Sequence, residues 1–492
     1  MSSSAESKEY DVIVIGAGVI GPCIATAMAR QGRSVLIVER EWTKPNRIVG
    51  ELLQPSGLKA LKQLGMVQAV NNIDAIHVDG YYIGFYDKNV YVTYPEKSVL
   101  KDIDTEPVPK AIFKGDEDKM VTDNTLDMKD WDNTSNVRGV AFHHGDFLMS
   151  LRKICLDEPN VTKLEGTVIS LLKDGNKVIG VKVADKGEFR SRITISCDGI
   201  YSKFRKELGA NNVPSVGSYF VGLDLEDAVL PRKNHGHVLL GKMAPVLVYQ
   251  ISPHHTRILC AIRSQKLPKR EQVLTYLKDE VLPQLPESIQ PSFMKALESD
   301  DQDVYKSMPN QYLVAKQNKI PGLICLGDSL NMRHPLTGGG MTVGLNDTVL
   351  MAKILSDLSN EELSDDGVIL EKMLQFHVDR KGLDTVINTL SIALYSLFAA
   401  DSKPLSLLQK GCFFYFHRGG ECVSGPVGLL SGLIPKPMVL FNHFFAVAFY
   451  SCYINFKEKG WLGFPIALWE NIVALITAAF VLLPNLFKEI FS

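Results

Sequence analysis

Residues 10–39 read YDVIVIGAGVIGPCIATAMARQGRSVLIVE, and this stretch sets the fold class. YDVIVI is an apolar run rich in β-branched residues, CIATAMARQG is helical in pattern, and SVLIVE is a second apolar run ending in an acid. The order is therefore strand, loop, helix, strand. Gly16, Gly18 and Gly21 stand in GxGxxG spacing between the first strand and the helix, and Glu39 closes the second strand eighteen residues after Gly21. A lone GxGxxG is weak, but in this setting it predicts a dinucleotide-binding βαβ unit. Gly16 permits the tight turn, Gly18 lets a pyrophosphate approach the backbone, and Gly21 allows helix and strand to pack closely. The helix N-terminus offers amides to the phosphates and Glu39 accepts from the adenosine ribose. The motif alone leaves FAD and NAD as alternatives.

A second glycine-rich stretch, GDSLNMRHPLTGGGMTVGLND, begins at Gly327 after the apolar run LICL, more than three hundred residues downstream. It places Gly327 and Asp328 at the end of a strand. Gly338, Gly339 and Gly340 then open a helix, whose amides and positive dipole end suit the pyrimidine edge of a flavin, where negative charge gathers on reduction. Between the two motifs, ISCDGIYSKFR ends a strand in Asp198 and Gly199, with Ser202 and Arg205 on the helix that follows. Both glycine stretches are explained if they wrap the two ends of one extended cofactor.

The 492 residues are 46% hydrophobic and 22% charged, enough for a large core divided into two or more domains. With 53 basic against 55 acidic residues there is no electrostatic footprint for nucleic acid, and none is expected as a partner. Cys23, Cys155, Cys197, Cys260, Cys325, Cys412, Cys422 and Cys452 are widely spaced, with no CxxC pair and no zinc spacing, so they read as thiols in a reducing compartment. MSSSAESKEYDVIVIG is polar and enters a strand directly, so neither a secretory signal nor a transit peptide is expected, and the sequons at Asn133, Asn160 and Asn346 read as chance. No GxSxG elbow and no HExxH is found, which disfavours a serine hydrolase and a zinc peptidase.

The DG and GD pairs resemble those of the flavoprotein aromatic-hydroxylase superfamily. That resemblance implies that Asp328 bonds the ribityl chain of FAD and that Asp198 belongs with cofactor and pyridine-nucleotide contacts. RIVGELLQPSG at Arg47, GYYI at Gly80, FHHGDFLMSLRK at Phe142, MRHPLTGGGMTVGLND and GGECVSGPVGLLSGL at Gly419 narrow it further, and together they are similar to the squalene monooxygenase (squalene epoxidase) family of fungal type over nearly the whole chain. Carried over by motif, the implied FAD contacts are Val19, Ile20, Glu39, Arg40, Arg47, Leu52, Arg152, Val168, Asp328 and Met341. Asp146 departs from the pattern, because many relatives carry Arg after HHG.

The implied fold is α/β: a Rossmann-like FAD-binding domain of aromatic-hydroxylase type in three parts (1–100, 138–210 and 321–360), with an antiparallel-sheet substrate domain over 211–320. An acid-rich stretch over 101–137, poor in large apolar residues, reads as a surface insertion. A helical region over 361–436 leads into 437–492, where MVLFNHFFAVAFYSCYINF has no charge over nineteen positions and WLGFPIALWENIVALITAAFVLLPNLF has only Glu470. Both runs approach membrane-spanning length. Pro465, Pro484, Glu470 and the scattered aromatic residues fit helices that lie in or partly enter one leaflet better than two clean spans; a buried helical hairpin is the alternative.

The family resemblance implies an FAD-dependent monooxygenase that converts squalene to (S)-2,3-oxidosqualene with O2, in sterol (ergosterol) biosynthesis. After Glu39 no second strand-GxGxxG-helix unit is found, so the chain lacks its own nicotinamide domain; the resemblance implies electrons from NADPH through NADPH-cytochrome P450 reductase. It also implies location on the cytosolic face of the endoplasmic reticulum membrane and on lipid droplets, with lipid contacted through the C-terminal helices. Tyr81 is the residue that the family places beside flavin and substrate, although from the residues alone it is equally a strand core tyrosine. His143 and His144 are neighbours pointing different ways, and no metal is expected. The run Phe413 to Phe416 reads as helix packing. A flavin-dependent isoprenoid reductase of the same fold and a non-catalytic membrane flavoprotein are the alternative functions.

Overall fold

The computed structural model describes residues 9–97, 135–242, 244–264, 266–301 and 303–492. The expected acidic insertion lies outside these residues apart from its last three positions. Val12, Ile13 and Val14 are fully buried, so the strand Glu9–Ile15 is covered on both faces, as a central parallel strand must be. It pairs in parallel with Val35–Glu39 on one side and Gly187–Ser196 on the other. Val161–Glu165 extends the sheet in parallel beyond Val35–Glu39. At the other edge Gly187–Ser196 is shared: its first half pairs antiparallel with Lys177–Val183, and its last residues pair in parallel with Leu323–Cys325. Asp174, Gly175 and Asn176 make the expected hairpin turn, with Gly175 at φ 58°.

The second sheet runs in the order Tyr305–Tyr312, Ser215–Glu226, His255–Ile262, Val246–Gln250, His235–Leu240, Gly80–Phe85, Lys88–Thr93. It is antiparallel except where His235–Leu240 meets Gly80–Phe85 in parallel. Gly80–Phe85 and Lys88–Thr93 come from within residues 1–100, the stretch grouped with the nucleotide fold on sequence. Nothing local marks the transfer, since a strand's pattern encodes its burial and not its partner. The consequence is functional, because the crossing carries Tyr81 into the second sheet.

Helices Gly339–Ser356, Asp366–Asp379, Lys381–Ala399, Lys403–Phe416 and Glu421–Leu430 lead to a hairpin of Pro437–Lys459 and Phe464–Ile490. Pro465 sits in the first turn of the last helix, where a missing N–H costs nothing, so it starts the helix rather than interrupting it. Among the described residues three helices, Lys381–Ala399, Pro437–Lys459 and Phe464–Ile490, are long and apolar enough to cross a membrane by length and composition, but the first is largely buried. The last helix is two-sided. Ala467, Ala474, Ala478, Leu482 and Leu486 are buried, while Phe464, Trp469, Ile472, Ile476, Phe480 and Phe487 are exposed in steps of three to seven residues. At the turn between the two helices Trp461 and Leu462 are 89% and 97% exposed. Glu470 is not an isolated charge: Lys459 Nζ lies 3.0 Å from it.

Candidate active site

The glycines of the first motif meet their neighbours as their spacing requires. Gly16 has φ 94°, and a Cβ there would lie 2.7 Å from the Cys197 carbonyl oxygen; at Gly21 it would lie 1.9 Å from the Gly16 carbonyl oxygen. Around Gly18 there is nothing within 4 Å. The first and third positions are closed by protein and the second is open, which is the cradle that a ligand phosphate needs. Glu39 Oε2 accepts from the Ala17 amide at 2.6 Å, and Arg152 Nε donates to the Ala17 carbonyl at 2.9 Å. The strand end and the helix His144–Leu156 therefore clamp the loop from both sides.

From Gly18 a cleft runs both ways. Gly16, Glu39, Arg40, Arg152 and Val168 line one arm, a groove open at the surface. Val19, Ile20, Leu52, Tyr81, Asp328, Gly338, Gly340 and Met341 line the other. Gly18 and Arg47 border both arms. Gly21 and Gly339 are the two sequence-chosen residues that do not line the cleft. A Cβ at Gly339 would meet Ile387 Cγ2 at 2.4 Å, whereas around Gly340 nothing lies within 4 Å. Of the three consecutive glycines, Gly339 thus serves packing. Gly338, at φ 61°, caps the helix and Gly340 faces the open cleft.

Asp198 braces its own loop: its Oδ1 accepts from Ser196 Oγ at 2.6 Å and its Oδ2 from the Lys203 amide at 3.1 Å. Arg205 Nη2 donates to the carbonyls of Gly199 and Ile200 at 2.6 and 2.7 Å. His144 is buried, its pKa lowered to about 4 by desolvation, with Nδ1 2.9 Å from the Gly50 carbonyl. His143 instead packs edge-on to His255. No group of three metal-ligating side chains occurs among the described residues. Phe413 and Phe416 are buried between helices, and Phe413 packs on Phe85 at 5.0 Å between ring centroids.

The Tyr81 hydroxyl lies in a buried polar cluster that sequence reading missed. Gln54 Nε2 donates to it and, at 2.8 Å, to the Thr337 carbonyl. Tyr94 OH donates to Gln54 Oε1 at 2.6 Å. Gly236 presents no side chain to the Tyr81 ring, which a Cβ there would approach to 3.1 Å. Burial raises the Tyr81 phenol above its usual range, opposed by the hydrogen bonds of Tyr94 and Gln54, so the group stays protonated. Beyond it Val238, Leu247, Leu259 and Leu336 make an apolar wall. A buried bidentate pair stiffens this region, with Arg257 Nε and Nη2 2.8 and 2.9 Å from the Glu51 carboxylate.

These residues fit a flavin dinucleotide. Gly18 and Gly340 leave space that side chains would fill. Gln311 Oε1, Arg333 Nε and Thr337 Oγ1 border the arm that Tyr81 lines and are buried with no hydrogen-bond partner among the described residues. Buried polar atoms are seldom left so, and a bound polar ring edge would satisfy them.

A family model described as squalene epoxidase matches residues 190–469. The chain is 56% identical to the squalene epoxidase of Candida albicans, over 98% of this chain and 99% of that protein. It is 52% identical to that of Saccharomyces cerevisiae, over 98% and 96%. Against the squalene monooxygenase of Mus musculus the identity is 39%, over 99% of this chain and 79% of the mouse protein. Among solved structures the fold is similar to p-nitrophenol 4-monooxygenase from Pseudomonas putida, with TM-score 0.63 and 14% identity over 87% of this chain and 98% of that one. A flavin-dependent brominase gives TM-score 0.65 and 14% identity, over 92% and 100%.

Proposed function

The chain belongs to the squalene epoxidase family, and from that premise we propose that it binds FAD along the cleft and converts squalene to (S)-2,3-oxidosqualene with O2. The observation that carries this reading is a dinucleotide cradle at Gly18 that continues into an apolar arm, which Tyr81 lines. Glu39 and Arg40 would hold the adenosine end, Gly18 and Arg152 the pyrophosphate region, Asp328 the ribityl hydroxyls, and the start of the helix Gly339–Ser356 the pyrimidine edge. Bound and reduced, the flavin supplies the activation of dioxygen.

The remaining work is positional. Squalene is all hydrocarbon, so Val238, Leu247, Leu259 and Leu336 bind it by desolvation alone and place a terminal alkene beside the flavin edge. The same wall excludes water from the reacting atoms. Tyr81, kept protonated by burial, holds a donor in the apolar arm, and Gln54 fixes its direction.

The exposed apolar faces of the last two helices support attachment to a membrane. The buried opposite face of the last helix favours lying along one leaflet over crossing it. Residence on the cytosolic face of the endoplasmic reticulum and on lipid droplets, a role in ergosterol synthesis, and electron delivery from NADPH by NADPH-cytochrome P450 reductase are further parts of this proposal, suggested by the family resemblance. A shared membrane would raise the effective concentration of the two proteins. The test supplies purified protein with FAD, NADPH, O2 and squalene, with and without that reductase. Oxidosqualene formed only with the reductase is expected. Rapid formation without it would refute the external donor, and a saturated product would point to an isoprenoid reductase.

A further inference from the structure

Epoxidation consumes more than the alkene and dioxygen. One O2, two electrons and two protons yield the epoxide and one water, so every turnover brings two protons to the reacting atoms and removes a water. A reductase that passes electrons alone brings no protons with them. The wall of Val238, Leu247, Leu259 and Leu336 holds no group that exchanges a proton, and the Tyr81 hydroxyl is buried between Gln54 and Tyr94. A polar route to solvent is therefore required.

A second cavity supplies one. Arg47, Glu51 and His144 line both it and the arm that Tyr81 lines. Lys44, Lys295 and Asp301 are exposed at its rim, whereas the ion-paired side chains of Glu51 and Arg257 at its floor are only 1% and 4% exposed. Arg257 Nη1 is buried with no hydrogen-bond partner among the described residues, the mark of a donor that water serves. Between rim and floor stands His255, whose Nδ1 donates to Asp224 Oδ1 at 3.1 Å. That bond leaves Nε2 to take up and release a proton. The His255 ring meets His143 edge-on at 5.2 Å between centroids. The other charges around it are paired: Arg257 Nη2 lies 3.9 Å from the same Asp224, and Glu226, opposite His255 in the strand pair, holds Lys295 Nζ at 2.6 Å.

We propose that this cavity is the passage by which protons reach the epoxidation site and product water leaves it, with the His255–Asp224 pair carrying the protons and Arg47, Glu51 and His144 standing where the passage meets the arm. The inference rests on the reading that epoxidation takes place in that arm. In each transfer His255 accepts a proton from solvent at Nε2, Asp224 stabilises the cation through Nδ1–H, and the proton passes inward by way of water, returning the pair to its starting state. Hydrocarbon and protons thus arrive by separate routes, which lets an apolar wall exclude water from the alkene without starving the reaction of protons.

The test uses the full-length, FAD-loaded protein with squalene, NADPH, O2 and saturating reductase. His255→Asn should lower kcat about ten- to hundredfold, up to the lower end of what a positioned proton-transfer group contributes, with FAD content and the KM for squalene unchanged. Imidazoles of graded pKa added to the buffer should restore turnover at rates that follow their pKa, a dependence that lost packing does not produce. Asp224→Asn repeats the test should His255→Asn fail to fold: without the carboxylate the imidazolium is less stable, so the alkaline limb of the kcat profile should move to lower pH by about one unit. Parent-like kcat and pH profile in these variants overturn the proposal, as does a loss in His255→Asn that no imidazole restores or that all restore alike. A parent protein that makes no oxidosqualene refutes the epoxidase reading itself, whereas one that makes it while both variants match it refutes the passage alone.

Discussion

Ile20 lies directly against Gly327: a side-chain carbon at Gly327 would come within 3.0 Å of Ile20 Cγ1. The same isoleucine fills the space left by Gly344, where a Cβ would lie 2.7 Å from its Cδ1. One side chain at the start of the first helix thus touches both the GD turn and the helix that follows it. Two glycine motifs more than three hundred residues apart become the walls of one cleft. Gly327→Ala adds a Cβ against Ile20 at φ 69°, a conformation that side chains disfavour. We expect about 1–3 kcal/mol of lost stability, read by denaturant unfolding; a parent-like midpoint would contradict the contact.

Gly18 and Gly21 separate binding from folding. Gly18→Val projects into open cleft, so the protein should fold with a parent-like melting temperature and lose FAD. Gly21→Ala collides with the Gly16 carbonyl and should destabilise the fold by about 1–3 kcal/mol or more. Flavin content and thermal unfolding measured on both variants decide the matter, and a fully flavin-loaded Gly18→Val protein would be the contrary result. Asp328→Ala should fold and weaken FAD by about 1–3 kcal/mol, the scale of a lost hydrogen bond to a charged acceptor. Unchanged affinity would remove Asp328 from the site.

Tyr81→Phe removes only the hydroxyl. FAD content should persist while turnover falls about tenfold or more, the scale of one lost donor at a reacting centre. Gln54→Leu should lower turnover in the same direction, because it releases Tyr81 from its orientation. Combining the two changes should add little, since both act on one hydroxyl. Parent-like turnover in Tyr81→Phe would return Tyr81 to core packing.

Attachment to lipid can be separated from the fold. Residues from 437 onward are no detachable tail, because Ala474, Ala478 and Leu482 pack into the protein. Substituting Trp469, Ile476 and Phe480 together by serine changes the exposed face alone. Vesicle co-sedimentation should fall with unfolding unchanged. If the substituted protein still pellets with vesicles, another surface binds lipid.

Acid sensitivity has a local source. Burial holds His334 at about pKa 3, against the usual 6.5. The unfolded chain binds this proton below pH 6.5 and the folded chain does not, so stability is lost as pH falls from about 6.5 toward 3. The slope is about 1.4 kcal/mol per pH unit for one such group. His334 Nδ1 accepts from the Leu336 amide at 3.2 Å, and Asn can keep that cap. His334→Asn should therefore show a shallower loss of stability between pH 6 and pH 4 than the parent, measured by urea midpoints. Parallel curves would place the titration elsewhere.

The parts of the site legible in sequence are the local ones. GxGxxG, Glu39, the GD turn and the capping glycine at 338 depend on backbone conformation over a few residues, and spacing records that directly. The cluster of Gln54, Tyr94 and Tyr81 joins distant segments, and no period or motif encodes which polar side chain will face which. Gly339 shows the boundary: three consecutive glycines look equivalent in sequence, yet Ile387 claims the middle one. Gly80–Phe85 was legible as a strand but not as a member of the second sheet, because its partner His235–Leu240 lies about one hundred and fifty residues on.

The central claim is oxygen transfer at the flavin edge to a squalene bound in the apolar arm. The most direct measurement supplies isotopically heavy O2 to the FAD-loaded protein with squalene, NADPH and the reductase, and weighs the product by mass spectrometry. The expected result is oxidosqualene carrying one heavy oxygen atom, formed by the parent and strongly reduced in Tyr81→Phe. Product oxygen drawn from water, or consumption of O2 with no labelled epoxide, would contradict it.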